Sequence, residues 1–172
     1  MPSTYTLISS NVLSSSAASV TFSAIPSTYT DLMLRVSVRL VAGSGSTIQD
    51  LIVKFNGTTT NYSITQLTGD GSTAASGRIS NTTRILLSNV VDGDATSNTF
   101  GSVEIYVPSY TASQNKPVSA FGASENNATL AGLSATAGLW RDTTAISSIE
   151  LSNATANLVS GSSFYLYGIK NS

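Results

Sequence analysis

The ten residues from Asp31 to Leu40, DLMLRVSVRL, constrain the fold more than any other stretch. Leu32, Leu34, Val36, Val38 and Leu40 fall on one parity, and Asp31, Met33, Arg35, Ser37 and Arg39 fall on the other. A period of two places alternate side chains on opposite faces of a strand, whereas a helix would scatter those aliphatics around its circumference. The segment is therefore expected to be a strand with an apolar inner face and an outer face that carries Arg35 and Arg39. The rest of the chain has to supply what packs against the inner face.

Similar short alternations recur along the chain. Tyr5–Ile8, Val20 with Phe22, Leu51–Phe55, Thr83–Ser88, Phe100–Val107, Pro117–Ala123, Ile146 with Ile149 and Leu151, and Phe164–Ile169 all read as strands. Asn56-Gly57 is a strong turn signal, and Tyr62, Ile64 and Gln66 resume an alternation after it, so Asp50–Leu67 is predicted to be a hairpin. Gly69–Ser80, GDGSTAASGRIS, reads as a surface loop, and Val91–Ser97 as a second loop around Asp92-Gly93-Asp94. Leu130–Trp140 holds enough Gly and Ala to suggest a strand bent by bulges. The pentapeptide PSTYT occurs at Pro2–Thr6 and again at Pro26–Thr30, but the likeness ends within a few residues and makes no repeat.

No long amphipathic helix pattern is present. The count overfills a seven-stranded immunoglobulin sandwich and predicts an all-β chain, an antiparallel jelly-roll-like β-sandwich of about 8–11 strands. One domain over 1–172 is expected, since a chain of this length buries roughly 70% of its unfolded surface without staples.

Chemistry is limited by what the chain lacks. It contains no Cys and no His. That removes disulfides, thiolate metal sites, Ser-His and Cys-His nucleophiles and most catalytic zinc sites. Charged residues are 10% of the chain, 8 basic against 9 acidic, and the arginines and lysines are scattered singly, so a nucleic-acid partner is not expected. Ser, Thr, Asn and Gly provide the surface instead. No apolar run approaches the ~20 residues of a membrane span, and MPSTYTLISSNV has neither the basic nor the apolar region of a secretory signal. A protein of this kind working outside a cell is expected to leave inside a particle or by lysis. Asn-x-Ser/Thr triplets at Asn56, Asn61, Asn81, Asn127 and Asn153 are read as coincidence in a Ser/Thr-rich chain.

Few residue groups suggest a site. Asp92 and Asp94, with Asn89 and Asn98 near in sequence, resemble oxygen ligands for calcium, but turn geometry is the preferred reading and no metal is expected. Glu104 and Glu150 would form a glycosidase pair only within ~5–10 Å of each other, and solvent-facing strand carboxylates are preferred, so no catalytic residue is assigned. Tyr110, Trp140 and Arg141 are candidates for glycan contact, with a core or subunit-interface anchor preferred for Trp140. Arg35, Arg39, Arg78 and Arg84 are candidates for holding neighbouring subunits through bidentate pairing, with solvated strand-face charges equally plausible. No cofactor is expected; the Gly-rich 69–77 stretch has neither a following Lys nor a helix to present amides to phosphate.

Three strings carry a family likeness: TYTLISSNVLSSSAASVTFSAIPSTYTDL, TFGSVEIYVPSY followed by NKPVSAFGASENNAT, and the closing GSSFYLYGIKNS. Together they resemble short structural proteins of tailed bacteriophages, especially phages of aquatic bacteria. The resemblance implies a virion component, made in the host cytoplasm and carried on the particle surface, and it brings no catalytic residues. A capsid decoration or cement protein, homotrimeric and bound to the major capsid protein or other virion proteins, is the expected role. A tail or head fibre module binding host glycans is the alternative, disfavoured because a fibre needs a shaft.

Overall fold

A computed structural model describes residues 4–43, 45–126 and 128–170. Among these residues twelve strands form two sheets, and every ladder within the sheets is antiparallel. Numbered in chain order, the larger sheet runs β1 (Tyr5–Val12), β12 (Ser163–Ile169), β3 (Asp31–Val38), β8 (Gly101–Val107), β9 (Lys116–Glu125), β10 (Ala131–Trp140), β5 (Tyr62–Gly69) and β6 (Ala74–Thr82). The smaller runs β2 (Ser19–Phe22), β11 (Ile149–Ser152), β4 (Ile48–Phe55) and β7 (Ile85–Val91). The antiparallel β-sandwich expected from the sequence is what forms, divided eight and four and with one strand more than the expected range.

The core lies between the sheets. Leu32, Leu34, Val36 and Val38 of β3 are buried, as the alternation predicts, together with Leu40 just beyond the strand. Val103, Ile105 and Val107 of β8 and Phe164 and Leu166 of β12 continue that inner face on the neighbouring strands. From the smaller sheet Leu51, Val53 and Phe55 of β4 and Ile149 and Leu151 of β11 close the layer. Each fully buried aliphatic contributes about 1.5–3 kcal/mol relative to exposure, which is why alternation in sequence translates so directly into layering.

Three local expectations are corrected. Asp50–Leu67 is not a hairpin, because β4 pairs with β11 and β7 while β5 pairs with β10 and β6. The turn itself forms: Asn56 and Gly57 have φ of 52° and 66°, and the Thr58 N–H donates to Phe55 O at 2.9 Å. What redirects the chain is the Asn56 side chain, whose amide donates to Ala145 O at 2.9 Å and accepts the N–H of Ser147 at 2.8 Å. That ties the turn to the segment before β11, so β5 crosses to the other sheet.

Gly69–Ser80 is not simply a loop. Asp70–Thr73 is a turn whose Asp70 carboxylate accepts the N–H groups of Ser72 and Thr73 at 2.9 and 2.6 Å, and β6 follows it. Those N–H bonds hold the Asp70 carboxyl below the usual carboxylate range. The two-residue loop is Gly71-Ser72, with Gly71 at φ 89°, a hairpin signal that Ser- and Ala-rich flanks obscured.

β10 is a strand without bulges, in unbroken register with both neighbours. Its small residues serve packing instead. A Cβ on Gly138 would stand 2.8 Å from Ile85 Cδ1, so glycine there lets β7 press onto the larger sheet.

The largest departure concerns Arg39. It shares the outward parity of Arg35, yet it is only 6% exposed. Past Val38 the chain leaves the ladder, and the guanidinium turns into the 93–99 loop. Nη1 donates to Thr96 O at 2.6 Å and to Thr99 O and Oγ1 at 3.0 Å, and Nη2 donates to Gly93 O at 2.8 Å and Ala95 O at 2.7 Å. One planar cation thus organises a loop that has no ladder of its own. Gly93 is confined as well, since a Cβ there would lie 2.0 Å from Ala42 N. Replacing Arg39 with Ala is expected to lower unfolding free energy by about 3 kcal/mol, because several buried carbonyls lose their donor at once. Lys should recover only part of that loss, as read from urea midpoints, since it lacks the planar fork.

Candidate interaction surface

The outer face of the larger sheet is the broadest surface the fold leaves uncovered. Register carries one row of residues across it from Leu7 to Tyr167, Met33 and Tyr106. A second row runs from Tyr165 to Arg35, Glu104 and Phe121. Leu7, Phe121, Leu133 and Leu67 are 50%, 53%, 43% and 61% exposed, so large apolar side chains stand open to solvent on this face. Its central charge is the ion pair of Arg35 Nη1 with Glu104 Oε1, both half exposed and therefore worth little to stability.

Between β3, β8 and β9 the face dips into a cavity of about 350 Å³ lined by Met33, Glu104, Tyr106, Ser119 and Phe121. Tyr106 is held in place by its hydroxyl, which donates to Asp31 Oδ2 at 2.8 Å. That hydrogen bond is the main reason the phenol is harder to ionise than usual. Asp31 also accepts the Ser109 N–H at 2.8 Å, so it braces the end of β8 from the start of β3.

Only part of the predicted site is found here. Arg35 lies at its centre. Arg39 is inside the 93–99 loop, and Tyr110 and Trp140 are 0% and 1% exposed, which takes all three off the surface of the folded chain. Tyr110 donates its hydroxyl to Pro26 O. Trp140 stacks on Tyr62 with ring centroids 6.2 Å apart and meets Phe55 at 5.7 Å, the core-anchor role preferred for it. Arg141 is exposed but sits elsewhere, donating to Asn81 Oδ1 at 2.7 Å beside β6. Arg78 is exposed on β6, and Arg84 is half buried between β6 and β7.

The remaining acidic candidates are structural. Glu104 is on the outer face of the larger sheet, and Glu150 is paired with Lys54 at 3.3 Å on the outer face of the smaller one, so the core separates them. Asp94 accepts the Gly45 N–H at 2.8 Å, and Asp92 accepts the Asp94 N–H at 3.3 Å, the turn geometry preferred for this pair. Asn153 accepts the N–H of Thr155 and of Ala156 at 2.9 Å and so caps its own turn. Asn127 and Pro2 lie outside the described residues.

Tyr106, Phe121, Tyr165 and Tyr167 escaped the sequence reading although their signal was present. Each sits on the parity opposite a buried neighbour, as in FYLYGI, where Phe164 and Leu166 face in and the two tyrosines face out. No protein-family model matches the chain, and no curated protein does.

Buried phenols make the fold sensitive to alkali. Burial pushes the Tyr62 and Tyr110 hydroxyls above their usual 10.0, so unfolded chains ionise first as pH rises. Their contribution is whole below pH 10.0 and is lost as pH climbs through the raised values. Burial lowers the Lys116 ammonium below 10.5, which works in the opposite sense and adds stability as pH approaches that value. Denaturation curves taken across this range should show stability falling once pH exceeds about 10. The fall should be shallower in Tyr62→Phe, which starts lower because the Phe55 N–H loses its acceptor at 2.8 Å.

Proposed function

We propose that this chain is a structural subunit of a tailed-phage virion, a decoration protein seated on the head surface as a homo-oligomer, with three copies as the expected number. The observation that carries the reading is the wide outer face of the eight-stranded sheet, apolar and aromatic with a single central ion pair. A flat face of that composition suits contact with another folded protein, such as the major capsid protein, better than it suits solvent. The resemblance of the chain's ends and centre to phage structural proteins supports the same class. A sandwich is also an apt shell-stabilising part, because its binding face is a rigid ladder and loses little freedom on docking.

The second reading, a module that binds host glycans, is favoured by one feature. The cavity at Tyr106 and Phe121 places aromatic surface beside the Glu104 carboxylate and the Ser119 hydroxyl, groups that suit the apolar face and the hydroxyls of a sugar.

Imaging of particles carrying the protein separates the two. Decoration requires icosahedrally arranged copies on the shell, and density confined to the tail would overturn it. In a reconstitution assay with undecorated shells, Arg35→Glu is expected to weaken attachment at least tenfold while the isolated domain keeps its melting temperature. Unchanged attachment would remove this face from the contact. Reproducible glycan-array binding that is lost in Phe121→Ala would favour the second reading.

A further inference from the structure

The two sheets treat their edges differently. In the smaller sheet β2 is only 4 residues long, and β7 is capped from the larger sheet. Gln66 Nε2 donates to Leu86 O at 2.7 Å, and Ser134 Oγ donates to Ser88 O at 2.6 Å. In the larger sheet the edges are β1, with 8 residues, and β6, with 9, and among the described residues no strand lies beyond either. All of β1 except Ile8, and all of β6 except Thr82, is exposed.

Soluble proteins blunt such edges with short strands, charge, proline, bulges or a covering element. β1 has no charged residue and no proline, and β6 has Arg78 alone. Each has one bulge, leaving Ser9–Val12 and Ala74–Ile79 regular.

The phase of both ladders can be read from their ends. Asp70 N–H donates to Thr73 O at 3.2 Å, so alternation turns the backbone groups of Ala74, Ser76 and Arg78 away from β5. Leu13 N–H donates to Ser162 O at 2.9 Å, so alternation turns those of Ser10 and Val12 away from β12. Register places all these residues on the outer face, Ser76 opposite Leu67 and Ser10 opposite Tyr165. An even number of antiparallel strands also makes β1 and β6 run in opposite directions. A second copy in the same orientation would therefore set its β1 antiparallel to β6, with the outer faces flush.

We propose that β6 of one copy pairs with β1 of the next, head to tail, so that the larger sheets of a closed ring become continuous. Pairing β1 with β1, or β6 with β6, would leave the other edge of each copy open; head-to-tail pairing in a ring leaves none. This deepens the homo-oligomer part of the function proposed above. Its test uses the purified chain, so it can fail while a place on the virion stands, and the reverse.

The test is size-exclusion chromatography with light scattering on wild type, Ser76→Pro and Ser10→Pro. Proline at these outward positions removes an N–H that the internal ladder does not use. Wild type should be oligomeric, and each variant should be a monomer with unchanged circular dichroism. An equimolar mixture should give a dimer that grows no further, because each variant keeps the one edge its partner needs. The proposal is overturned by a monomeric wild type, by one variant that keeps the wild-type mass, or by a mixture that stays monomeric. If either proline variant unfolds, Ser76→Lys and Ser10→Lys undergo the same comparison with the same deciding outcomes.

Discussion

Four strands have to cover eight, and most features of this molecule follow from that inequality. The smaller sheet cannot reach the whole of the larger one, so buried aliphatics run from Leu166 on β12 through β3 and β8 to Ile64 on β5, and the edge strands β1 and β6 are left exposed. The cover works because it sits close. Gly138 admits the Ile85 side chain, and Gln66, Ser134 and Thr136 reach up to the carbonyls of β7, so an edge that would otherwise need water is satisfied from below. Small and polar residues at these inner positions are what a tight seam between sheets requires.

Four charged side chains, Asp31, Arg39, Asp92 and Lys116, are buried. Arg39 gathers the carbonyls of the 93–99 loop, and Lys116, 1% exposed, donates to Ala112 O and Gln114 O at 2.6 and 2.5 Å. Asp31 joins the start of β3 to Tyr106 and Ser109. These groups act as cross-links for connections that have no ladder, a role in which several directional hydrogen bonds per side chain offset the cost of desolvation. Of the remaining charge, the long edge strands β1 and β6 carry Arg78 alone, and the middle of the outer sheet face carries the Arg35–Glu104 pair.

Burial also explains why the candidate residues divide as they do. Arginine and tryptophan are frequent at interfaces because they offer large area and directional donors, and the same qualities suit them to bracing a loop or filling a core. Residue type alone cannot separate the two uses. Trp140 is fixed in the core by its register partner Tyr62, whose hydroxyl in turn accepts the Phe55 N–H across the sheets. The outward tyrosines were legible from strand parity, yet only the order of β12, β3, β8 and β9 in the sheet sets Tyr165, Arg35, Glu104 and Phe121 side by side.

DLMLRVSVRL shows where local information ends. Its alternation determined by itself that Asp31–Val38 is a strand and that Leu32, Leu34, Val36 and Val38 face the core, because period two is a property of the extended backbone. It equally determined that Arg35 points outward. The fate of Arg39, four residues on, was decided by tertiary structure: the ladder stops at Val38, and the 93–99 loop supplies a set of carbonyls that binds a guanidinium better than water does. The same division holds at Asn56-Gly57. The dipeptide fixed a turn through its positive φ angles, but which strands would pair beyond it depended on Asn56 finding partners near Ser147, a contact between residues 91 apart in the chain that no local pattern encodes.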